Sequence, residues 1–229
     1  MTRGALLPLP PVFVAVLVTL ALPTAAAAQL SDVELTTVLG GLDRSTTGTD
    51  AALAGRGYDQ EAGVLAGLET RLLFGRGEYV RQGLHLGASQ QAGRFLGVGG
   101  FGFRSTFLDL GYTVRALLPC VSDAHTRWFA AAHAGLTGLY ADAGRGRNGG
   151  VNDETFPDRL AASRASDHGA LGWRLALDGA VHVGRVIFGL GLGMRYLYGL
   201  GTPHRRTVAL DVALRFGVAL GSGAKPRLL

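Results

Sequence analysis

"GWRLALDGAVHVGRVIFGLGLGMRYLYG", residues 172–199, is mostly apolar but is broken by Arg174, Asp178, His182, Arg185 and Arg195. Arg174, Asp178 and His182 stand four apart, the spacing with which a helix builds one polar stripe. At about 100° per residue, however, a helix would scatter Trp173, Leu175, Leu177, Val181 and Val183 round its circumference. A strand, whose alternate residues share a face, gathers all of them on one side. The other side then reads Arg174, Ala176, Asp178, Ala180 and His182. Four is simply an even number, and the segment is a strand.

The pattern recurs along the chain. Val186, Phe188, Leu190, Leu192, Met194 and Tyr196 alternate with Ile187, Gly189, Gly191, Gly193, Arg195 and Leu197. In "RTVALDVALRFGVAL" (206–220) Val208, Leu210, Val212, Leu214 and Phe216 oppose Ala209, Asp211, Ala213, Arg215 and Gly217. In "FLDLGYTVRALLP" (107–119) Leu108, Leu110, Tyr112 and Val114 oppose Asp109, Gly111, Thr113 and Arg115. Val64, Ala66, Leu68, Leu72 and Phe74 likewise oppose Gly63, Gly67, Glu69 and Arg71.

One face of each strand is thus long and apolar, while the other is small, glycine-rich and charged in both signs. A soluble sandwich or lipocalin-like barrel buries its apolar face and wets the other, which would then be far more polar. A narrow lumen accounts for the second face, because buried charges are tolerable when they pair. The apolar face then meets lipid, as in transmembrane barrels. The inward-phased groups Glu69, Arg71, Asp109, Arg115 and Arg174 are expected to form a structural charge network with Asp178, His182, Arg195, Asp211 and Arg215.

This pattern, with the N-terminal segment below, resembles the small outer-membrane β-barrel proteins of Gram-negative bacteria. The resemblance covers essentially all of residues 29–229 and is one of pattern, with no family-specific motif. It implies an antiparallel up-and-down transmembrane barrel in the outer membrane, in contact with outer-membrane lipid and lipopolysaccharide. It also implies insertion by the outer-membrane assembly machinery. Members often end on a strand with a terminal aromatic; here "GSGAKPRLL" follows the strand that holds Phe216.

Composition agrees. The chain has 36 glycines in 229 residues without a G-X-Y period, and only 17% charged residues, which argues against both collagen and disorder. Its net charge of +5 is spread along the sequence instead of clustered with aromatics, so no nucleic-acid partner is expected. A lone Cys120 can make neither a disulfide nor a C-x-x-C site. At the N-terminus Arg3, an apolar run from Val12 to Leu22, and Ala26-Ala27-Ala28 before Gln29 read as a cleaved signal peptide over 1–28. The run is too short for the ~20 residues of a spanning helix.

Strands are expected at 32–41, 61–75, 79–90, 95–118, 126–140, 169–183, 185–199 and 206–220. Here 95–118 is one overlong strand bulged at Gly99-Gly100; ten strands is the alternative. Both long connections, 42–60 and 141–168, then fall at one end. Trp128, Tyr140, Trp173, Tyr196 and Tyr198 sit outward near strand ends, as girdles require.

His85, His133 and His182 are inward-phased on three strands, with no spacing that ties them into a metal or acid–base site. An outer-membrane lipid hydrolase would want a His-x-Ser on a strand, but His133 is followed by Ala134 and Gly135. "GVGGFG" (97–102) has the form G-x-G-x-x-G, yet strand and not helix follows it. No cofactor, metal or catalytic residue is expected. The leading reading is a structural or surface-interaction barrel whose lumen is filled by glycine and paired charges. A porin-like channel is the alternative and a lipid-modifying enzyme the third reading. Arg145 and Arg147 are candidates for contact with lipopolysaccharide.

Overall fold

The computed structural model describes residues 30–46, 59–60, 63–75, 79–96, 101–123, 125–142, 168–200 and 206–220. Its strands are β1 (Leu30–Thr46), β2 (Asp59–Gln60), β3 (Gly63–Phe74), β4 (Val80–Leu96) and β5 (Phe101–Leu117). They continue as β6 (Thr126–Asp142), β7 (His168–Val183), β8 (Val186–Gly199) and β9 (Arg206–Leu220). β2 is a two-residue addition beside Phe95 and Leu96 of β4. The eight long strands pair antiparallel in the order β4-β3-β1-β9-β8-β7-β6-β5, and β4 pairs with β5 to close the ring. The signal-peptide segment and the stretch with Arg145 and Arg147 lie outside the described residues.

The register fixes the size of the barrel. Crossing the sheet from Thr36, the successive partners are Glu69, Gly87, Asp109, Thr137, Gly172, Leu197 and Thr207, and the path re-enters β1 at Thr46. The shear is therefore ten residues. With about 3.3 Å per residue and about 4.8 Å between strands, eight strands with that shear tilt by roughly 40°. A ring of this kind is just wide enough for side chains to fill its interior.

Alternation decides what faces where. Leu177 is 65% exposed on the outer wall, and its neighbour Asp178 is 6% exposed inside. Leu68, Leu108, Leu136, Leu192 and Leu210 repeat this outward exposure on other strands, whereas Arg71, Arg195 and Arg215 are buried. That is the inverse of a water-soluble protein, in which charge faces solvent. A closed ring with such an exterior is a transmembrane barrel, since every strand's backbone is paired without exposing an edge to lipid.

Outward aromatics mark both rims. Trp128 and Tyr140 lie at opposite ends of β6, twelve residues apart, or roughly 30 Å along the barrel axis at the tilt above. Trp173 stacks on Tyr196 with ring centroids 5.7 Å apart, and Tyr196 meets Tyr198 edge-on at 5.1 Å. Phe188 and Phe216 form an edge-on pair near the opposite end.

The strands differ from expectation in one hairpin. The interruption lies at 97–100, not at 91–94: β4 runs through to Leu96 and β5 starts at Phe101, with Phe95 paired to Phe101. A bulge at Gly99-Gly100 within one strand is thereby replaced by a connection between two. Residues 97–100 themselves lie outside the described residues. Among the described residues the ring has eight strands, as expected, and not ten. β1 is also longer than expected, reaching Thr46. At the other end Gly184, at φ +62°, makes the two-residue turn between β7 and β8, a conformation suited to glycine. Asp123, in the turn before β6, accepts the N–H groups of His125 and Thr126 at 2.7 Å each, which hold its carboxyl below the ordinary range.

Leu177→Arg, by putting a charge at mid-wall, is expected to destabilise the refolded barrel by roughly 2–4 kcal/mol. Heat-modifiable gel migration across a urea series reads this, and parental stability would refute the assigned facing.

Candidate functional site

Inward residues at mid-height form one continuous ionic network. Arg174 reaches Glu69 at 3.2 Å, Asp109 at 3.1 Å and Asp211 at 3.8 Å. Arg215 holds Glu69 through Nε at 2.9 Å and Asp178 through Nη1 at 2.6 Å. Arg195 pairs with Asp109 at 2.9 Å and also with Asp211. Arg71 pairs with Asp178 and lies 3.6 Å from both Glu34 and Glu69. The four carboxylates Glu69, Asp109, Asp178 and Asp211 are thus matched by the four guanidinium groups of Arg71, Arg174, Arg195 and Arg215. All eight are buried.

The chain's only lysine is Lys225, so every basic side chain in the network is arginine. A guanidinium offers five donors in a planar fork, which lets one side chain bridge two or three carboxylates. Desolvating such charges is costly, and leaving one unpaired costs about 3–5 kcal/mol.

Glycines supply the room that arginines need. A Cβ built at Gly191 would overlap Nη1 of Arg215, and one at Gly193 would crowd the carboxylate of Asp211. Gly179, outward on β7, has open space at the same position. The small inner face read from the sequence is therefore the steric complement of its large charged groups.

Two histidines border the network. His133 Nε2 meets Asp178, and His85 Nε2 lies 3.1 Å from Arg174 Nη1 and 3.9 Å from Glu69. Their rings are 5.0 Å apart. A space of about 10 Å³, too small for any solute, is lined by the two histidines together with Arg174 and the backbones of Gly111 and Gly135. Among the described residues no three His, Cys, Asp or Glu groups are placed to share a metal ion.

A second cluster lies toward the end where β1 begins. Glu34 pairs with Arg115 and stands 3.4 Å from His182, while Asp32 pairs with Arg81 and lies 3.2 Å from Arg115. Phe129 packs between them, 4.5 Å from the His182 ring and 4.3 Å under the Arg115 guanidinium. Arg115 and His182 thus belong to this cluster, which joins the eight central groups only through Glu34, 3.6 Å from Arg71. Asp32, Glu34 and Arg81 were missed by sequence reasoning, which assigned no facing within 32–41. The signal was present: Glu34, Thr36 and Val38 alternate with Val33, Leu35 and Leu39.

The opposite half holds a layer that sequence reasoning did not describe. Leu42, Leu65, Phe107, Leu139 and Leu197 are enclosed there with Ala209. Arg195 lies over the Phe107 ring at 4.7 Å, where the network meets this layer. Beyond it Arg44 bonds Ser105 and covers Phe103 at 4.9 Å. The lumen is thus filled by charge, glycine and a hydrocarbon layer.

Fold and lumen together define a small, closed, eight-stranded transmembrane β-barrel. The sequence matches no family model and no curated protein. Solved structures with similar barrels include the outer membrane protein OprG from Pseudomonas aeruginosa, at 10% identity and TM-score 0.46, covering 85% of this chain and 98% of that one. Ail, the attachment invasion locus protein of Yersinia pestis, matches at 6% identity and TM-score 0.39, over 84% of this chain and 100% of its own. Neisserial surface protein A matches at 13% identity and TM-score 0.38, over 82% and 97%.

Gly191→Ala is expected to displace Arg215 and cost about 1–3 kcal/mol, the usual scale of overpacking. Gly179→Ala should unfold at the parental urea concentration or slightly above it. Equal midpoints for both variants would contradict the steric account.

Proposed function

We propose that this chain is an outer-membrane anchor whose work is done at its surface and not through a pore. The observation that supports this reading is the enclosure of side chains across the lumen. Leu42, Phe107 and Leu197 are wholly enclosed and Arg195 is 1% exposed, so water does not reach these side chains. The enclosure of His133 and Asp178 supports the same reading against a lumen enzyme, because substrate has no route to them.

The exported N-terminus and the strand order suggest the orientation. With the start of β1 in the periplasm, the connections 47–58 and 143–167 leave the barrel on the cell surface. The polar segment 143–167, with Arg145, Arg147, Asp153, Glu154 and Asp158, is the proposed interaction element, and its arginines would meet lipopolysaccharide phosphates. Insertion would rely on the outer-membrane assembly machinery.

Refolded protein in planar bilayers is expected to show no porin-like conductance steps at neutral pH. Reproducible steps would overturn the sealed anchor in favour of a channel.

Orientation has its own test, because Cys120 is exposed in the turn before β6. It should react with an impermeant maleimide only after the outer membrane is permeabilised. In a Cys120→Ser background, Leu200→Cys at the other rim should react on intact cells. Reversed labelling would invert the barrel.

A further inference from the structure

The outer wall carries a groove that a lipid-facing barrel of uniform leucines would lack. Its floor is Ala132 and Ala134, outward on β6, with the strand backbone between them. Tyr112 and Val114 of β5 form one wall, and on the other side the lining runs over Leu175 and Leu177 of β7 to Leu192 and Met194 of β8 and Leu210 of β9. Its volume is about 570 Å³, within the ~300–1,000 Å³ range of small-molecule sites. The outward lining side chains are apolar apart from the Tyr112 hydroxyl.

The position of the groove restricts its occupant. Ala132 and Ala134 fall between Trp128 and Tyr140 on the same strand, so the groove opens to the hydrocarbon core. The ring has no edge to which a partner strand could add. What the surroundings supply is acyl chain.

A polar pair at one end gives the site a direction. The Tyr112 hydroxyl donates to Oε1 of Gln82, the third residue of β4. Both side chains face outward, in a wall whose positions farther along these strands include Leu84, Leu86, Leu108 and Leu110. Polar groups are costly in hydrocarbon unless they bond one another or a ligand. This pair lies toward the end of the barrel at which β1 begins, at the depth where chains join their ester groups.

We propose that the groove is a defined binding site for one glycerophospholipid of the periplasmic leaflet. An acyl chain lies along Ala132 and Ala134, and the Tyr112–Gln82 pair meets its ester linkage. The leaflet rests on the orientation proposed above; the groove and its polar end do not.

The test is native mass spectrometry of the barrel released from nanodiscs of palmitoyl-oleoyl phosphatidylethanolamine. The parent should retain one phospholipid at an activation energy that strips the remaining lipid. The double variant A132F/A134F, which fills the floor, should lower that retained fraction about tenfold. Gln82→Leu should lower it about fivefold, the worth of one net hydrogen bond. Leu39→Phe, on the outer wall of β1, should leave it unchanged. Parental retention in A132F/A134F and Gln82→Leu, or a folded parent that retains no lipid, would overturn the site. Release of a second copy of the chain in place of lipid would do the same, and palmitic acid competing as well as the phospholipid would overturn the role of the pair. Heat-modifiable migration separates the two readings. A parent that never inserts into lipid refutes the membrane barrel, whereas an inserted parent without bound lipid refutes only the groove. If A132F/A134F does not fold, the Gln82→Leu result decides.

Discussion

In hydrocarbon no backbone N–H or C=O can turn to water, and each one left unpaired costs several kcal/mol. The rest of this structure depends on that constraint. It is met by the pairing of β4 with β5, from Val80 opposite Ala116 to Phe95 opposite Phe101, which joins the two strands that would otherwise be edges. Closure at eight strands and a shear of ten sets a lumen of one size. Every inward side chain must then be chosen for volume as well as chemistry. Gly191 beneath Arg215 and Gly193 beside Asp211 show the two requirements being met together.

The contents of the lumen follow a gradient along the axis. Toward the start of β1, Asp32, Glu34, Arg81 and Arg115 hold one another around Phe129. At mid-height four carboxylates and four guanidinium groups interlock. Toward the far end Leu42, Leu65, Phe107 and Leu197 replace them. Paired charges alone make a poor seal, because each lone pair or N–H without a partner attracts water. A hydrocarbon layer has no such groups, and the Arg195–Phe107 contact joins it to the network without leaving the guanidinium bare on that side. Sealing and charge balance are therefore assigned to different layers.

Much of this was legible in the sequence because period-two alternation is a strong signal when one face is lipid. Arg174, Asp178 and His182 announced their side by parity alone, and so did Asp211 and Arg215. Alternation says which face a residue occupies but not at what height it meets its neighbours, and height depends on shear. The separation of Arg115 and His182 from Arg174 and Asp211 was consequently invisible. Parity does put Leu65, Leu73 and Phe107 on the charged face, but a leucine taken alone reads as lipid-facing until the phase of its whole strand is followed. The misplaced hairpin has a similar origin. Two glycines between apolar runs fit either a bulge or a turn, and only the pairing of Phe95 with Phe101 decides between them.

On the sealed-anchor reading proposed above, the chemistry of this barrel lies at its rims and its outer wall. The lumen groups neutralise one another, so the eight central charges present no net charge to either mouth. Differences in behaviour from other barrels of this size must then come from side chains that break the uniformity of the exterior. On β6 the outward positions Ala130, Ala132 and Ala134 are small, whereas β8 and β9 place Leu190, Leu192, Leu210 and Leu214 on the same wall. Alanines there do not improve burial in lipid, since a leucine side chain gains more by transfer out of water. They cost the wall apolar area and leave a recess, and a recess facing hydrocarbon is filled by whatever chain lies against it. The outer wall, which in most strands is only a solvent contact, becomes on this side a shaped surface.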